Sequence, residues 1–409
     1  MFSPLTNRFF LSGRKKRYSL LAGCLLLIPF LSTKVQGQTI NTTKGGKGLQ
    51  FMAADSSFAV KINARIQSLF VVGGQNLDQE TYNDEFQIRR TRLKFEGYAF
   101  NPKLEYKLEL GLSNSDIGGG LQPAKNNTAN VILDALVRWN ISDNFSLWFG
   151  QTKLPGNRER VVSSQKLQFV DRSLLNSRYN IDRDAGVQLH HQFEAGKVVF
   201  REIASVSMGE GRNITVENTG GHDYTGRVEV LPFGEFTSEG DYVGSDISRE
   251  PTPKLAIGVT YDYNDNASRE RGQLGNFFSQ QRDLKTVFAD AMFKFKGFSA
   301  MAEYANKKTS GSPVVESDKT GKVTKAFFTG SAFNIQGGYL FRNNFEIAGR
   351  YTNVNPEAIT QRKENNQYTF GVSKYLMGHT VKVQSDVSLL NEHTEANDLM
   401  YRFQVEIGF

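Results

Sequence analysis

The chain has 409 residues, enough for two or three ordinary domains or for one large all-β unit. Its 31 phenylalanines and 15 tyrosines stand against 10 prolines, and its 38 glycines are spread along the chain, which favours one extended β architecture. Much of the formal net charge of +7 comes from basic residues before position 38, where acidic residues are absent, so the charge gives no reason to expect a nucleic-acid partner.

The first 37 residues have the pattern of a signal peptide. Arg14 to Arg17 are basic, residues 20–31 are apolar, and Val35-Gln36-Gly37 offers small or aliphatic residues for cleavage. We therefore expect a signal peptide over residues 1–37, a short N-terminal segment over 38–57 and one barrel domain over 58–409.

Cys24 is the only cysteine and lies in Leu21-Ala22-Gly23-Cys24, which matches a lipoprotein cleavage box. A lipoprotein cysteine ends the apolar stretch, whereas residues 25–28 continue it here, so ordinary cleavage near Gln38 is the preferred interpretation. The mature chain would then contain neither a disulfide nor a thiolate metal site.

Apolar and polar residues alternate with period two in sixteen segments, which predicts sixteen strands. The segments are 60–67, 90–95, 104–110, 131–139, 145–151, 187–193, 197–207, 224–230, 255–263, 287–295, 298–304, 333–341, 345–351, 368–375, 381–389 and 401–409. After residue 37 no apolar run approaches the ~18 residues of a membrane helix, so a membrane form of this chain would be a β-barrel.

The connections between these segments alternate in length. Short turns are predicted at 101–102, 141–144, 194–197, 296–297, 342–344 and 377–379, and long polar loops at 113–130, 153–184, 208–222, 264–283, 305–331, 352–367 and 391–398. This alternation is typical of an outer-membrane barrel with periplasmic turns and external loops. Residues 231–254 are an exception, because they are long where a short turn is due.

Aromatic residues crowd the short turns, as expected for a girdle at the membrane interface. They are Tyr98, Phe100, Trp139, Phe145, Phe193, Phe295, Phe298, Phe341, Phe345, Tyr375 and Phe409. The alternative is that they form the core of a soluble sandwich. In the terminal YRFQVEIGF the aromatic face would contact lipid, and Phe409 resembles the signal by which a barrel-assembly machinery recognises outer-membrane proteins.

The intervening polar residues would line the lumen. Five cations lie close together on the first two strands, namely Arg65, Arg89, Arg90, Arg92 and Lys94, and could attract anions. The alternative is a mixed polar wall in which Glu96, Glu105, Glu109 and Asp134 pair with them. Since Arg89 and Arg90 are adjacent, a regular strand would point only one inward, and the break in alternation there suggests a β-bulge.

The loop over 153–184 carries apolar residues that would be unusual in a loop surrounded by water. We predict that it folds into the lumen as the constriction loop, with an external cap as the alternative. Its candidate pore residues are Arg158, Arg160, Lys166, Arg172 and Arg178.

Catalysis has little support in the sequence, and we expect no cofactor. His190 and His191 are neighbours on one strand, so they would point to opposite faces and could not bind one metal together. An outer-membrane hydrolase would need a lipid-facing Ser/His pair, and none is evident.

Several segments in order resemble the phosphate-selective porin O and P family: FQIRRTRLKFEGYAFNPKLEYKLELGL, VILDALVRW, FSLWFGQTKLP, FVDRSLL, GVQL, GRVEVLPFGEF and DISREPTPKLAIGVTYDYN. The resemblance implies a sixteen-stranded barrel, usually trimeric, with arginine rows on the wall and a folded-in third loop. Arg89 and Arg90 match the wall arginines best, and Arg65 is a further match. The chain departs from the family pattern at Gly156-Asn157-Arg158, which replaces aromatic and acidic residues.

The sequence is thus interpreted as an outer-membrane porin, a passive channel for small hydrophilic solutes that prefers anions such as phosphate or other oxyanions. The expected partners are outer-membrane lipid, small anionic solutes, the assembly machinery and two further copies in a homotrimer. The alternatives are a barrel that acts in binding or adhesion, and a barrel hydrolase.

Overall fold

The structure is a computed structural model that describes residues 39–42, 48–74, 82–117, 130–215, 218, 220–392 and 397–409. The predicted signal peptide over 1–37 lies outside the described residues, and so does Cys24.

Sixteen antiparallel strands form a closed barrel within the described part of the chain, as the sequence predicts. They are β3 (Phe58–Gly74), β4 (Asn83–Ala99), β5 (Asn101–Gly111), β6 (Ile132–Asn140), β7 (Phe145–Lys153), β8 (Arg183–Ala195), β9 (Val198–Ser207), β10 (Asp223–Leu231), β11 (Lys254–Arg269), β12 (Phe277–Phe295), β13 (Phe298–Thr309), β16 (Gly330–Leu340), β17 (Phe345–Pro356), β18 (Asn365–Met377), β19 (Val381–Glu392) and β20 (Asp398–Gly408). The last strand, β20, pairs with β3 from Leu399↔Gly74 to Gly408↔Arg65 and so closes the barrel.

Short elements lie outside the barrel wall. β1 (Thr39–Thr42) pairs with β2 (Leu49–Met52), which extends the sheet along the start of β3. β14 (Val314–Ser317) and β15 (Val323–Ala326) form a separate hairpin. The helices are α1 (Asn114–Ile117), α2 (Arg158–Val161) and α3 (Leu174–Tyr179), with 3₁₀ turns at Ser164–Lys166, Gly240–Tyr242 and Ala358–Thr360. None of the helices in the described residues is long and apolar enough to cross a membrane.

The terminal strand shows how the wall separates two environments. Tyr401, Phe403 and Ile407 are exposed on the outer face, whereas Gln404 and Glu406 between them are buried toward the lumen. Phe409 is 58% exposed, and its backbone exchanges two hydrogen bonds with Ala64, of 2.8 and 2.9 Å. Its side chain therefore faces outward at the seam where the barrel closes.

Most of the predicted girdle aromatics lie on the outer face. Phe100, Trp139, Phe145, Phe193, Phe298, Phe341 and Phe345 are exposed, and Tyr98 and Phe295 are half-buried. The prediction is wrong for Tyr375, which is 2% exposed and donates a hydrogen bond of 2.6 Å to Glu346 Oε2. Its neighbour Lys374 takes the outward position, so strand alternation directs Tyr375 into the lumen.

Several strands extend beyond the predicted segments. The loop predicted over 264–283 is mostly strand, because β11 continues to Arg269 and β12 begins at Phe277. Part of the loop predicted over 305–331 is likewise the hairpin of β14 and β15. Where strands project beyond the lipid, both faces meet water, so the alternation that marks a strand in the sequence is lost.

Candidate functional site

The segment between β7 and β8, residues 154–182, lies inside the barrel, as predicted for the constriction loop. We call it the inner loop. Gln168 Nε2 donates to Glu346 Oε1 at 2.8 Å and to Ser299 Oγ at 2.9 Å, and the backbone N–H of Val170 donates to Asp386 Oδ2 at 3.1 Å. These contacts fix the loop to the inward faces of β13, β17 and β19.

Small and apolar inward residues make room for the inner loop. The side chains of Leu175 and Tyr179 in α3 are fully buried in a cluster with residues of β12, β13, β16 and β17. The wall residues of this cluster are Phe288, Ala305, Ala332 and Val354. Charged side chains at these positions would leave no apolar surface for α3 to pack on.

Two glycines show how closely the loop approaches the wall. A Cβ on Gly338 would lie 2.5 Å from Gln168 Nε2, and one on Gly371 would lie 3.0 Å from Phe169 Cδ1. Glycine at these inward positions therefore permits the loop to lie against the strands.

The long connection between β10 and β11 also folds inward. This returning segment, residues 232–253, packs Phe236 with Leu231 and Met292, and its Gly244 N–H donates to Lys166 O at 2.8 Å. Tyr242 donates to Glu229 Oε1 at 2.6 Å. The connection that breaks the turn-and-loop alternation in the sequence thus contacts the inner loop from the periplasmic side.

Arg158 is the centre of a buried ion-pair network. Its side chain is 0% exposed, with Nε 2.7 Å from Asp290 Oδ1 and Nη2 3.0 Å from Glu229 Oε1. Arg227 contacts the same two carboxylates at 2.7 Å each. Burial alone would lower the pKa of Arg158, but Asp290 and Glu229 raise it above its ordinary value. Arg158 therefore fixes the inner loop to the wall.

The expected β-bulge is present at the paired arginines. β3 and β4 pair Gln67 with Arg90 and Ser68 with Ile88, so Arg89 is the extra residue. Both arginines reach Asp171 of the inner loop: Arg89 Nε lies 3.2 Å from Oδ2, and Arg90 Nη2 lies 2.8 Å from Oδ1. Burial acts to raise the pKa of Asp171, but Arg90 and Arg89 hold it well below its ordinary value.

The other wall candidates also have carboxylate partners. Arg65 lies 3.0 Å from Glu406, and Arg92 lies 2.7 Å from Asp116 and 3.1 Å from Glu109. Lys94 pairs with Glu96 at 2.9 Å. These distances are those of the mixed polar wall considered as the alternative, and an anion-binding role for these residues stays a prediction.

The remaining inner-loop candidates occupy three different environments. Arg160 donates to Asp182, whereas the Nε and Nη2 of Arg172 donate to the backbone oxygens of Glu159 and Val162. Arg178 is exposed and its guanidinium lies 5.6 Å from the centre of the Phe328 ring.

An open space remains between the inner loop and the strands β3 to β10. It comprises two cavities of about 640 and 560 Å³, which share Arg92, Lys107, Glu109, Ser163, Lys166 and Glu239 in their linings. The larger cavity is lined by the cations Arg92, Lys107, Arg138, Lys153, Lys166, Arg183, Arg201 and Arg227 and by the carboxylates of Glu109, Asp134, Glu229, Glu235 and Glu239. Cations thus outnumber carboxylates along this space.

Lys153 and Lys166 differ from the other cations of this lining. Within the described residues neither forms an ion pair with a carboxylate. Lys153 Nζ donates to the backbone oxygens of Val161 and Val162 at 2.9 and 3.2 Å, and Lys166 lines both cavities. Within the described residues, no carboxylate at ion-pair distance therefore offsets the charge of either lysine.

Sequence reasoning missed several cations of this lining: Lys107, Arg138, Lys153, Arg183, Arg201 and Arg227. The alternation of β5 and β6 already places Lys107 and Arg138 on the inward face, so this signal was available. No local signal marks Lys153 as uncompensated, since its environment depends on where the inner loop lies.

The two histidines point to opposite faces, as predicted. His190 stacks on Trp148 at 3.9 Å inside the lumen, and Arg138 covers that indole at 4.1 Å. His191 stacks on Phe145 at 4.1 Å and lies 3.0 Å from Glu202.

Known proteins resemble this chain in sequence pattern and in fold. A model of the phosphate-selective porin O and P family matches residues 60–401. The anion-selective porin from Comamonas acidovorans is 11% identical with a TM-score of 0.54, and the match covers 86% of this chain and 100% of that one. The outer membrane channel DcaP of Acinetobacter baumannii is also 11% identical with a TM-score of 0.54, over 87% of this chain and 99% of that one.

A loop L8 deletion mutant of OmpT, an outer membrane protein of Vibrio cholerae, is 10% identical with a TM-score of 0.53, over 86% of this chain and 100% of that one. At these identities the solved structures show the fold. A comparison with curated protein sequences gives no match. The family model spans most of the chain, from the start of β3 to the start of β20, so the chain belongs to the phosphate-selective porin O and P family.

Proposed function

We propose that small anions diffuse through the outer membrane along the open space between the inner loop and β3 to β10. The observation that carries the proposal is the pair of lysines, Lys153 and Lys166, which line this space without an ion pair in the described structure. An uncompensated ammonium group in a narrow, partly desolvated channel lowers the energy of an anion and raises that of a cation.

The wall arginines, Arg65 and Arg90 among them, contribute less to the preference for anions. Each carboxylate at hydrogen-bond distance offsets the charge of its arginine, as Asp171 does for Arg90 and Glu406 for Arg65. The candidate oxyanion site is therefore centred on Lys166, where the two cavities meet. Inorganic phosphate is among the anions that such a site would accept.

The test is the reversal potential of the purified protein in a planar bilayer, measured in a gradient of potassium chloride and then of potassium phosphate. We expect an anion-selective potential that moves toward zero in the double variant K153Q/K166Q. Lys322 is exposed on the turn between β14 and β15, so K322Q removes the same charge outside the channel and should leave the potential unchanged. An unchanged potential in K153Q/K166Q would contradict the proposal, and a complete lack of conductance would favour binding or adhesion.

We further propose that residues 1–37 are a signal peptide, that the assembly machinery recognises the C-terminal strand, and that the protein is a homotrimer. The exposed Phe409 at the barrel seam supports the second part. OmpT of Vibrio cholerae, a structural neighbour, is described in a trimer form, which supports the third.

Deleting Phe409 tests recognition separately from stability. Burial of one phenylalanine is worth only ~1.5 to 3 kcal/mol, so a truncated chain should still refold in detergent. We expect the truncated protein to be depleted from the outer membrane in cells. Normal levels there would refute the recognition role, and the mass of the detergent-solubilised complex measures the oligomer.

A further inference from the structure

The outer face of the barrel has a groove on β9 to β12. Gly226 faces outward in the middle of β10, and a Cβ added to it would have no atom within 4 Å. Its partners across the strands are Ala204 and Tyr261. A space of about 670 Å³ is therefore open on the outer wall, between larger side chains on both sides.

The walls of the groove are apolar and aromatic. Tyr224, Tyr261 and Val206 line it and are each about half exposed, at 45%, 50% and 46%. A glycine floor between tyrosine walls on the lipid-facing surface has the shape and polarity to hold an acyl chain.

A cation stands at the rim of the groove, toward the external ends of the strands. Lys285 lines the groove, with its Nζ 5.7 Å from the centre of the Tyr263 ring. In the pairing of β12 and β13, Lys285 lies directly opposite Lys308. Both lysines are exposed, and neither forms an ion pair with a carboxylate within the described residues.

Two like charges directly opposite each other destabilise a sheet unless an anion lies between them. The Cβ atoms of such a pair are ~4.5 to 5.5 Å apart, so the two flexible ammonium groups can contact the same phosphate. Lys308 is the second-last residue of β13, next to the external loop, which is the level of the lipid head groups in the outer leaflet.

We propose that this groove binds a phosphorylated lipid of the outer leaflet, with its acyl chain over Gly226 and its phosphate between Lys285 and Lys308. The site is on the opposite side of the wall from the channel. It is independent of the proposed anion pathway, and each proposal can fail without the other.

The test is lipid retention by the purified barrel in detergent, measured by native mass spectrometry with lipid A that carries its phosphates and with dephosphorylated lipid A. We expect the double variant K285Q/K308Q to bind the phosphorylated lipid about tenfold more weakly, a change of ~1.4 kcal/mol. The control is K374Q, because Lys374 is an outward lysine at the periplasmic end of β18.

A second variant tests the acyl-chain groove. G226L fills the groove without a steric clash, and the matched control is G349L, since Gly349 is also outward, exposed and free of atoms around an added Cβ. We expect weaker binding of both lipids in G226L and wild-type binding in G349L. The proposal is overturned if K285Q/K308Q binds like the wild type, if the two lipids bind equally, or if G226L changes the oligomer mass but not lipid binding.

Discussion

The two sides of the lumen use the same charged residue types in opposite ways. On the filled side, β11 to β13 and β16 to β19 hold the inner loop, and the buried Arg158 of that loop is paired with three carboxylates. On the open side, β3 to β10 line the two cavities, and Lys153 and Lys166 face them without an ion pair in the described structure.

This difference teaches that an inward cation in a barrel does not by itself predict an anion site. A guanidinium with two carboxylates stabilises the position of the loop, and its charge is largely offset before a solute arrives. Lys153 Nζ donates only to backbone oxygens, so no paired carboxylate offsets it. The filled side therefore sets the shape of the channel, and the open side sets its charge.

The largest effect should follow from breaking the network on the filled side. R158M removes one of the two arginines that pair with Asp290 and Glu229 in a fully buried site. Breaking a buried ion pair typically costs about 3 to 5 kcal/mol. We expect a much lower unfolding temperature in detergent and a less stable conductance. The control R178M removes an exposed arginine, and an equal loss of stability there would refute the distinction.

The sequence carries enough information to predict the barrel wall but not the contacts that the inner loop makes inside it. Lipid outside and water inside impose a period of two on every strand, so the sixteen strands and their order are predictable. The apolar residues between 153 and 184 also predict a loop that packs against something. The prediction fails for Tyr375 because its proximity to a turn is a weaker signal than the alternation that places Lys374 outward.

The pairing of charged side chains inside the lumen cannot be predicted from the alternation along the strands. Asp171 meets Arg89 and Arg90 from about eighty residues away, and Asp290 meets Arg158 from a still greater distance. Such pairs depend on the path of the inner loop, which has no period that a sequence reveals. Lys166 and the paired arginines therefore look alike in the sequence, although their environments differ.

A second, smaller effect is expected where the inner loop meets the open side. D171N keeps the shape of the side chain but removes the charge that holds Arg89 and Arg90, and hydrogen bonds to charged groups are worth about 1.5 to 3 kcal/mol. We expect lower stability and more frequent closures in single-channel records. Wild-type behaviour in both measurements would show that the tie to Asp171 is dispensable.

The stability difference between wild type and D171N should depend on pH with a defined sign. The pKa of Asp171 is well below its ordinary value, so its stabilising charge is fully present above a pH of about 4, the ordinary value of a free Asp, and is lost as the pH falls through the folded-state value. The difference in unfolding free energy between wild type and D171N should be constant from pH 8 to about pH 5. It should shrink in more acidic solution.

The third prediction compares single cations on the open side by their effect on selectivity. K166Q should move the reversal potential further than R90Q, because Asp171 offsets the charge of Arg90. Both shifts should decrease toward 1 M salt, where the Debye length is about 3 Å. An equal shift for the two variants would mean that ion pairing does not decide which cations act on the solute.

The smallest effect concerns the connection over 208–222, outside the membrane-spanning strands. Burial, together with the charge of Asp184, raises the pKa of Glu210 to about 7. Because this value lies above that of the unfolded chain, the folded form is favoured most in acidic solution, and the contribution is lost as the pH rises through 7. The wild-type connection should therefore exchange its amide hydrogens faster at pH 8 than at pH 5.5, after correction for the intrinsic rate.

E210Q mimics the neutral acid and should show equal corrected exchange at both pH values, whereas the control E316Q, on the exposed β14, should behave like the wild type. A persistent pH effect in E210Q would assign the titration to another group in this connection or its surroundings.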